Sequence, residues 1–448
     1  MNTKDYFQNK KITQMGLGLL GRGLGDAIFL AKNGAKLIIT DLKNKEELET
    51  SLSKLKKYKN IKYVLGRHRL EDFENRDMIL KSAGIPLKSG FLEKAKENKI
   101  PIEMDESLFV KLSGIRTIGV TGTRGKTTVA TLIFQILKDN EKKLGCKVYL
   151  GGNIKGVATL PLLEKVKNGD IVVMELSSWQ LQGFGDSKIS PHISVFTNFY
   201  DDHLNYYKNN RQKYFNDKAQ IFKYQKENDL LFFTKQAKRE IKRYFKNKII
   251  SKKFLIDKNI LPKSWKIKLK GEHNRENIAL GIKVAQSFGI SLGKIKKSVE
   301  NFGSVEGRLQ FLRKYRGIEI YNDNNATSPE ATISAVNSFE KKEIILIIGG
   351  SSKGLDTQNL VEEIKKRCKK VVLFKEKGTD EIKEELLSYK NIKCFEEDGL
   401  ENCLNRALEK SKKGSVLLFS PAFASFGKYF KNEFDRGDQF CKLVKKLK

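Results

Sequence analysis

The run Thr121, Gly122, Thr123, Arg124, Gly125, Lys126, Thr127, Thr128 follows an apolar stretch and opens an amphipathic one. Those residue types at that spacing suit a polyphosphate. Glycines let backbone N–H groups curl around oxygens, and a helix start adds partial positive charge. Lys126 is expected to reach the β- and γ-phosphates and Thr127 to ligate magnesium. The usual pattern has a glycine five residues before Gly125, where this chain has Val120, so the loop is an off-pattern variant. Further on, an apolar stretch from Asp170 ends in Glu175. In P-loop enzymes such an acid holds the metal opposite the loop hydroxyl.

Two other groups of residues carry possible chemistry. Gly16, Gly18 and Gly21 form a GxGxxG pattern, and Asp41 follows twenty residues after Gly21. The spacing suits a dinucleotide or another phosphate-bearing ligand, although residues 11–15 make a poor strand ahead of it. Of the four histidines (His68, His192, His203, His273), none pairs at i, i+4, which argues against a histidine-based zinc site. His203 lies just past the apolar stretch ending near Thr197, which favours a site position.

These groups need strands that end where they begin. Short β-branched runs alternate with amphipathic stretches, which predicts α/β architecture with parallel sheets and flanking helices. Strands are expected at 36–40, 117–121, 171–175, 193–197, 318–322, 343–348, 370–374 and 415–420, and helices at 25–33, 126–139, 274–288 and 328–339. Breaks near Ser113 and Phe302 divide the chain into three units. The 448 residues bury cores of their own in each, at roughly 100–200 residues per domain.

The net charge is +33, yet the lysines are spread along the chain in short runs. That pattern reads as a solvated basic surface rather than a specific nucleic-acid interface. Five irregularly spaced cysteines fit reduced thiols in a cytoplasmic protein. No apolar run approaches the length of a membrane span, and the first residues lack a hydrophobic signal segment.

Taken in order, the segments TGTRGKTT (121–128), GGN (151–153), ELSSWQL (175–181), TNFYDDHL (197–204), YFNDKAQIF (214–222), GEHNRENIAL (271–280), EGR (306–308), YNDNNATSPEAT (321–332), GGSSKG (349–354) and SPAFASF (420–426) resemble the Mur ligases. These are the ATP-dependent amide ligases of peptidoglycan synthesis. The resemblance implies an N-terminal Rossmann-like domain for UDP (1–111), a central P-loop ATPase (112–304) and a C-terminal Rossmann-like domain for the amino acid (305–448). It favours UDP over NAD at the first glycine loop. Gly18, Leu19 and Leu20 would line the diphosphate, Asp41 would fall near the uracil, and Asn153 would contact the sugar nucleotide.

The resemblance also implies ATP contacts from Gly122 through Thr128 and from Asn274, Asn277, Arg308 and Asp323. Two magnesium ions are expected, with Thr127, Glu175, His203 and a carbamylated Lys218 as ligands. Lys126, His203 and Lys218 would be the catalytic residues, and Lys353, Ser425, Phe426 and Phe434 would receive the amino acid. The implied reaction joins D-glutamate to UDP-N-acetylmuramoyl-L-alanine through an acyl phosphate, in a cytoplasmic monomer with no membrane or specific nucleic-acid partner. A Mur or folylpolyglutamate-type ligase for another amino acid is the alternative, ahead of a basic P-loop ATPase acting on nucleic acid. The chain departs from the family pattern at Asn325, where a lysine is usual, at EGR in place of PHR, and at Asn205, where a second Asp is usual.

Overall fold

The structure, a computed structural model, describes residues 3–447 apart from 20, 87, 205, 340–341, 426–428 and 431. The chain forms two compact units, Met1–Pro262 with Glu276–Ser298, and Lys263–Arg275 with Val299–Lys448. The boundary falls inside the helix Glu272–Ser287.

The first unit holds two sheets among the described residues. One contains β1 (Lys11–Met15), β2 (Lys36–Asp41), β3 (Ile61–Leu65), β4 (Met78–Lys81) and β5 (Ile102–Glu103), in the order β3-β2-β1-β4-β5. The other contains β6 (Arg116–Thr121), β7 (Val148–Gly152), β8 (Ile171–Glu175), β9 (Ile193–Phe196), β10 (Leu230–Thr234) and β11 (Lys252–Ile256), in the order β11-β10-β9-β6-β8-β7. Every strand pair in both is parallel. One apolar cluster, including Leu37, Leu108, Val172 and Leu181, is shared by both.

The expectation for residues 11–15 was wrong. They form β1, the central strand of the first sheet, although Thr13 and Gln14 are polar and buried. Both side chains donate to backbone carbonyls outside the strand, though Gln14 Oε1 is buried without a partner among the described residues. Thr13 Oγ1 donates to Asp72 O at 2.6 Å, and Gln14 Nε2 donates to Gly23 O at 2.7 Å. A periodicity reading sees only polar residues where a buried strand should be apolar; it cannot see their partners.

The second unit carries β12 (Gln310–Tyr315), β13 (Ile318–Asn322), β14 (Ile344–Ile348), β15 (Cys368–Phe374), β16 (Lys393–Glu397) and β17 (Val416–Phe419), in the order β12-β13-β17-β14-β15-β16. Here the expectation of parallel pairing needs one amendment. β12 runs antiparallel to β13, joined to it by a turn at Arg316 and Gly317. Ile344, Leu346 and Ile348 enter one apolar cluster, and Ile345 and Ile347 enter another on the opposite face. That is the alternation of a strand covered on both sides.

Parallel order gives the fold its functional consequence, because all the loops at the C-terminal edge of a sheet become neighbours. Replacing Thr13 by Val should keep the fold but leave Asp72 without its hydroxyl donor. Denaturant unfolding of Thr13→Val should show a loss of about 1–2 kcal/mol, whereas the same exchange at exposed Thr50 should be silent.

Candidate functional site

The loop at 121–128 leaves β6 between the ends of β8 and β9. It is fastened by the residues that follow β9. Thr123 N donates to Asn198 O at 2.9 Å, and Arg124 N to Asn198 Oδ1 at 2.8 Å. In return Thr197 Oγ1 donates to Arg124 O at 2.6 Å. Gly122 has φ +146°, and a Cβ there would stand 2.0 Å from Thr197 Oγ1. Val120, in place of the usual glycine, is an interior residue of β6 with no exposure. The turn is therefore made by Gly122 and Gly125. A Cβ on Gly125 would meet Asn277 Oδ1 at 2.5 Å, which places that carboxamide against the loop.

The helix Lys126–Lys138 begins directly behind Gly125. Its first-turn N–H groups, Thr127 and Thr128 among them, have no intrahelical acceptor and face the loop. Lys126 Nζ donates to Thr123 O at 3.0 Å, so the ammonium lies across the loop. Asn274, a turn earlier than Asn277 on its helix, is buried, and its Nδ2 donates to Lys270 O at 2.6 Å.

Beneath the loop lies Lys218, on the helix Arg211–Lys223 and only 2% exposed. Its Nζ donates to Gly122 O at 2.8 Å and lies 4.9 Å from the centre of the Tyr214 ring. Burial, followed by the nearby Lys126 charge, holds its amine well below the ordinary lysine range. Its neighbour Asp217 is pushed up by burial and accepts from Gln182 Nε2 and Tyr207 Oη. The sequence motif located Lys218; its dehydration is evident only in three dimensions.

Glu175 ends β8 and is 2% exposed. Asn153 Nδ2 donates to its Oε1 at 3.1 Å, while its Oε2 is buried without a hydrogen-bond partner among the described residues. His203 adopts φ +53° and lies against Trp179, with ring centroids 4.8 Å apart and planes tilted by 48°. Among the described residues no three His, Cys, Asp or Glu side chains form a ready-made metal cage. Magnesium seldom requires one, since it takes one or two carboxylates together with waters and substrate phosphates. The bare Glu175 oxygen beside a phosphate loop fits such an ion.

The glycine loop after β1 is arranged around Asp41. Its Oδ2 accepts from Leu17 N at 2.8 Å and Gly18 N at 3.0 Å, and its Oδ1 from Lys43 N at 2.9 Å. Asp41 therefore positions the loop through backbone groups. Gly18 takes φ +64° with open space where a side chain would be, and Leu19 is 40% exposed. Leu20, Asn205 and Phe426 lie outside the described residues.

In the second unit the loops after β13, β17 and β14 lie side by side. Asp323 accepts from Leu309 N at 2.9 Å and Ser420 Oγ at 2.8 Å. Arg308 Nε and Ser425 Oγ are buried without hydrogen-bond partners among the described residues. Lys353 Nζ donates to Thr327 Oγ1 at 3.2 Å. Asn325, where a lysine is usual, donates from Nδ2 to Glu306 O at 3.1 Å and so braces the neighbouring loop. Phe434 lies in the first turn of the helix Glu433–Lys446, its N–H bonded to Asn432 Oδ1 at 3.0 Å.

Sequence reasoning missed Arg436. It is 1% exposed and donates to Asn324 Oδ1 at 2.8 Å and Asn324 O at 3.0 Å. It also reaches the carbonyls of Phe423 and Ala424 at 3.3 Å. The guanidinium thus bonds the loops after β13 and β17, and a Cβ on Gly350 would lie 3.0 Å from its Nη1, so it also abuts the loop after β14. Nothing in its sequence position separates it from the chain's 86 basic residues. Trp179 entered only as part of a motif, yet its Nε1 is buried beside His203 without a hydrogen-bond partner among the described residues.

Comparison with known proteins bears on both units. The profile of the Mur ligase middle domain matches residues 120–259, and that of the Mur ligase glutamate ligase domain matches residues 307–423. A UDP-N-acetylmuramoylalanine–D-glutamate ligase of Borreliella burgdorferi (strain ZS7) is 36% identical over 99% of each chain. A ligase of the same name from Clostridium tetani is 32% identical over 99% of this chain and 98% of its own. In fold, the chain is similar to UDP-N-acetylmuramate-alanine ligase MurC from Thermotoga maritima, with TM-score 0.65, 19% identity, and coverage of 98% and 100%. MurF ligase from the same organism, solved in complex with ADP, gives TM-score 0.60 at 18% identity over 99% of this chain and 96% of its own.

Two substitutions check the geometry. Asn198→Ala should weaken nucleotide binding about tenfold with little change in melting temperature, because it frees the loop without opening the core. Arg436→Met should instead lower the stability of the second unit by about 3 kcal/mol, since several buried acceptors lose their donor together. Binding calorimetry and thermal melts read the two effects separately.

Proposed function

The chain belongs to the Mur ligase family, and on that premise we propose that it joins D-glutamate to UDP-N-acetylmuramoyl-L-alanine, driven by ATP, in the cytoplasmic assembly of peptidoglycan precursors. The observation that carries the reaction class is the convergence on one phosphate loop of Lys126, the unpaired oxygen of Glu175 and the dehydrated amine of Lys218. The substrates follow from the names of its full-length relatives.

In this reading the first-turn N–H groups and Lys126 hold the ATP phosphates, Asn277 stands at the loop's back, and Asn274 is assigned to the adenine. Thr127, Glu175 and His203 would hold magnesium, which neutralises phosphate charge when bound. The terminal alanyl carboxylate attacks the γ-phosphorus, and the bond to the ADP oxygen breaks, giving an acyl phosphate. The amine of D-glutamate then attacks the acyl carbon. The tetrahedral intermediate loses a proton and expels phosphate, leaving the amide. No side chain acts as nucleophile. The protein's part is electrostatic, because carboxylate and polyphosphate repel unless cations lie between them.

Lys218 suits carbamylation for a stated reason. Only a neutral amine adds CO2, and burial beside Lys126 favours the neutral form. The resulting anion would face the Lys126 charge and could serve a second magnesium ion. On the second unit we assign Lys353, Ser425 and Phe434, with Phe426 by motif, to the amino acid, and Arg308 and Asp323 to the nucleotide. Asn325 braces a loop, and we assign Lys353, beside Thr327, as the cation for the D-glutamate side chain.

The test is ADP release from purified protein given ATP, magnesium and UDP-N-acetylmuramoyl-L-alanine, with each candidate amino acid in turn. D-Glutamate alone should support turnover, and Lys126→Ala should reduce it by about a thousandfold. Turnover with a different amino acid would keep the chemistry and overturn the assigned specificity. Full activity in Lys126→Ala would overturn the mechanism.

A further inference from the structure

The mechanism makes no use of Lys81, one of the largest fully buried side chains in the molecule at 1% exposed. It ends β4, directly beside Met15 at the end of β1. Those two strand ends are the point where the sheet order β3-β2-β1-β4-β5 reverses direction, and open α/β sheets bind ligands in the crevice at such a point. One side of that crevice is the glycine loop. The other is the turn at 82–85, fastened to the loop by Ser82 Oγ donating to Gly16 O at 2.8 Å. An added Cβ would meet nothing within 4 Å at Gly18 on the first side or at Gly84 on the second.

Lys81 Nζ donates to Ile85 O at 2.7 Å and to Ser82 O at 3.2 Å, closing the turn from beneath. Packing alone would be served by an apolar side chain, and burying an ammonium is costly. Its burial lowers its pKa to about 8, against the opposing charges of Asp186, Glu106, Asp217 and Asp105 on the neighbouring helices. What lysine adds is a donor to two turn carbonyls.

We infer that Lys81 is a positioning residue of the sugar-nucleotide site, holding the turn at 82–85 as the second wall of the crevice opposite the glycine loop. The inference rests on the sugar-nucleotide reading proposed above. It departs from a purely structural role in two measurable ways. Lys81→Met should weaken binding of the sugar nucleotide while leaving ATP affinity and kcat unchanged. In the unaltered protein, affinity for the sugar nucleotide should fall as pH rises through about 8, because the neutral amine keeps its N–H groups but makes weaker, uncharged hydrogen bonds to the turn carbonyls.

Unfolding cannot explain that fall. An unfolded lysine keeps its proton to about pH 10.4, so between the two values the unfolded chain binds more protons, and the Lys81 contribution to stability rises with pH.

The experiment is calorimetric titration of the full chain with UDP-N-acetylmuramoyl-L-alanine alone between pH 6.5 and 9, alongside steady-state kinetics. Lys81→Met should bind about tenfold more weakly at pH 7 and lose the transition near pH 8. Its KM for ATP and its kcat should stay within about twofold of the unaltered protein. Equal affinity and an equal pH profile in the two proteins would overturn the inference. So would a fall in kcat equal to the fall in kcat/KM for every substrate, which marks general damage. If the unaltered protein fails to bind the sugar nucleotide at any pH, the reading of the substrate falls and takes the inference with it. A thermal melt of Lys81→Met matching the unaltered protein within a few degrees accompanies the supporting result.

Discussion

A phosphate loop works only if its N–H groups are aimed before the anion arrives, and here that aim is imposed from outside the loop. Thr197 and Asn198 take up the backbone polar groups of Thr123 and Arg124 that would otherwise let the loop wander. Pre-arranged donors cost no reorganisation when charge develops. The same arrangement explains why Gly122 must be glycine, since the fastening residue passes where a side chain would stand. It also explains how Val120 can replace the usual glycine: the strand continues through that position and the turn is made later.

Around this loop the molecule places charges it must then control. Burial, and after it the nearby Lys126 charge, disfavours the proton of Lys218 below the loop. Glu175 keeps one oxygen engaged with Asn153 and leaves the other bare. In the second unit the corresponding work falls to Arg436, which binds carbonyls and an amide from loops that the chain reaches at widely separated points.

The motifs and most of the interior strands were legible because both depend on local residue types. Glu175, Lys126 and the apolar strand after Asp170 announce themselves by order and hydrophobicity. Other features depend on partners distant in sequence. β1 contains polar residues that bond to Asp72 and Gly23, so its pattern is not that of a buried strand. Asp41 stands at the spacing of a ligand-binding acid, yet the structure engages its carboxylate with three backbone N–H groups. Arg436 and Lys81 resemble dozens of surface cations until their burial is known. The antiparallel β12 follows from a tight turn at Arg316 and Gly317, a local signal that the alternating pattern of the rest obscured.

The fastening of the phosphate loop also bears on how the chain comes off the ribosome. The Thr197 and Asn198 side chains that hold Arg124 lie 73 and 74 residues further along, and β6 has both its sheet neighbours, β8 and β9, still to be made when it emerges. Pairings of such separation form late, because the intervening chain must be ordered first. For several seconds of synthesis, at about 5–20 residues per second, the nascent polypeptide carries a complete nucleotide motif with no fixed shape. The fastened loop, and any nucleotide site built on it, can therefore form only after Asn198 has left the exit tunnel.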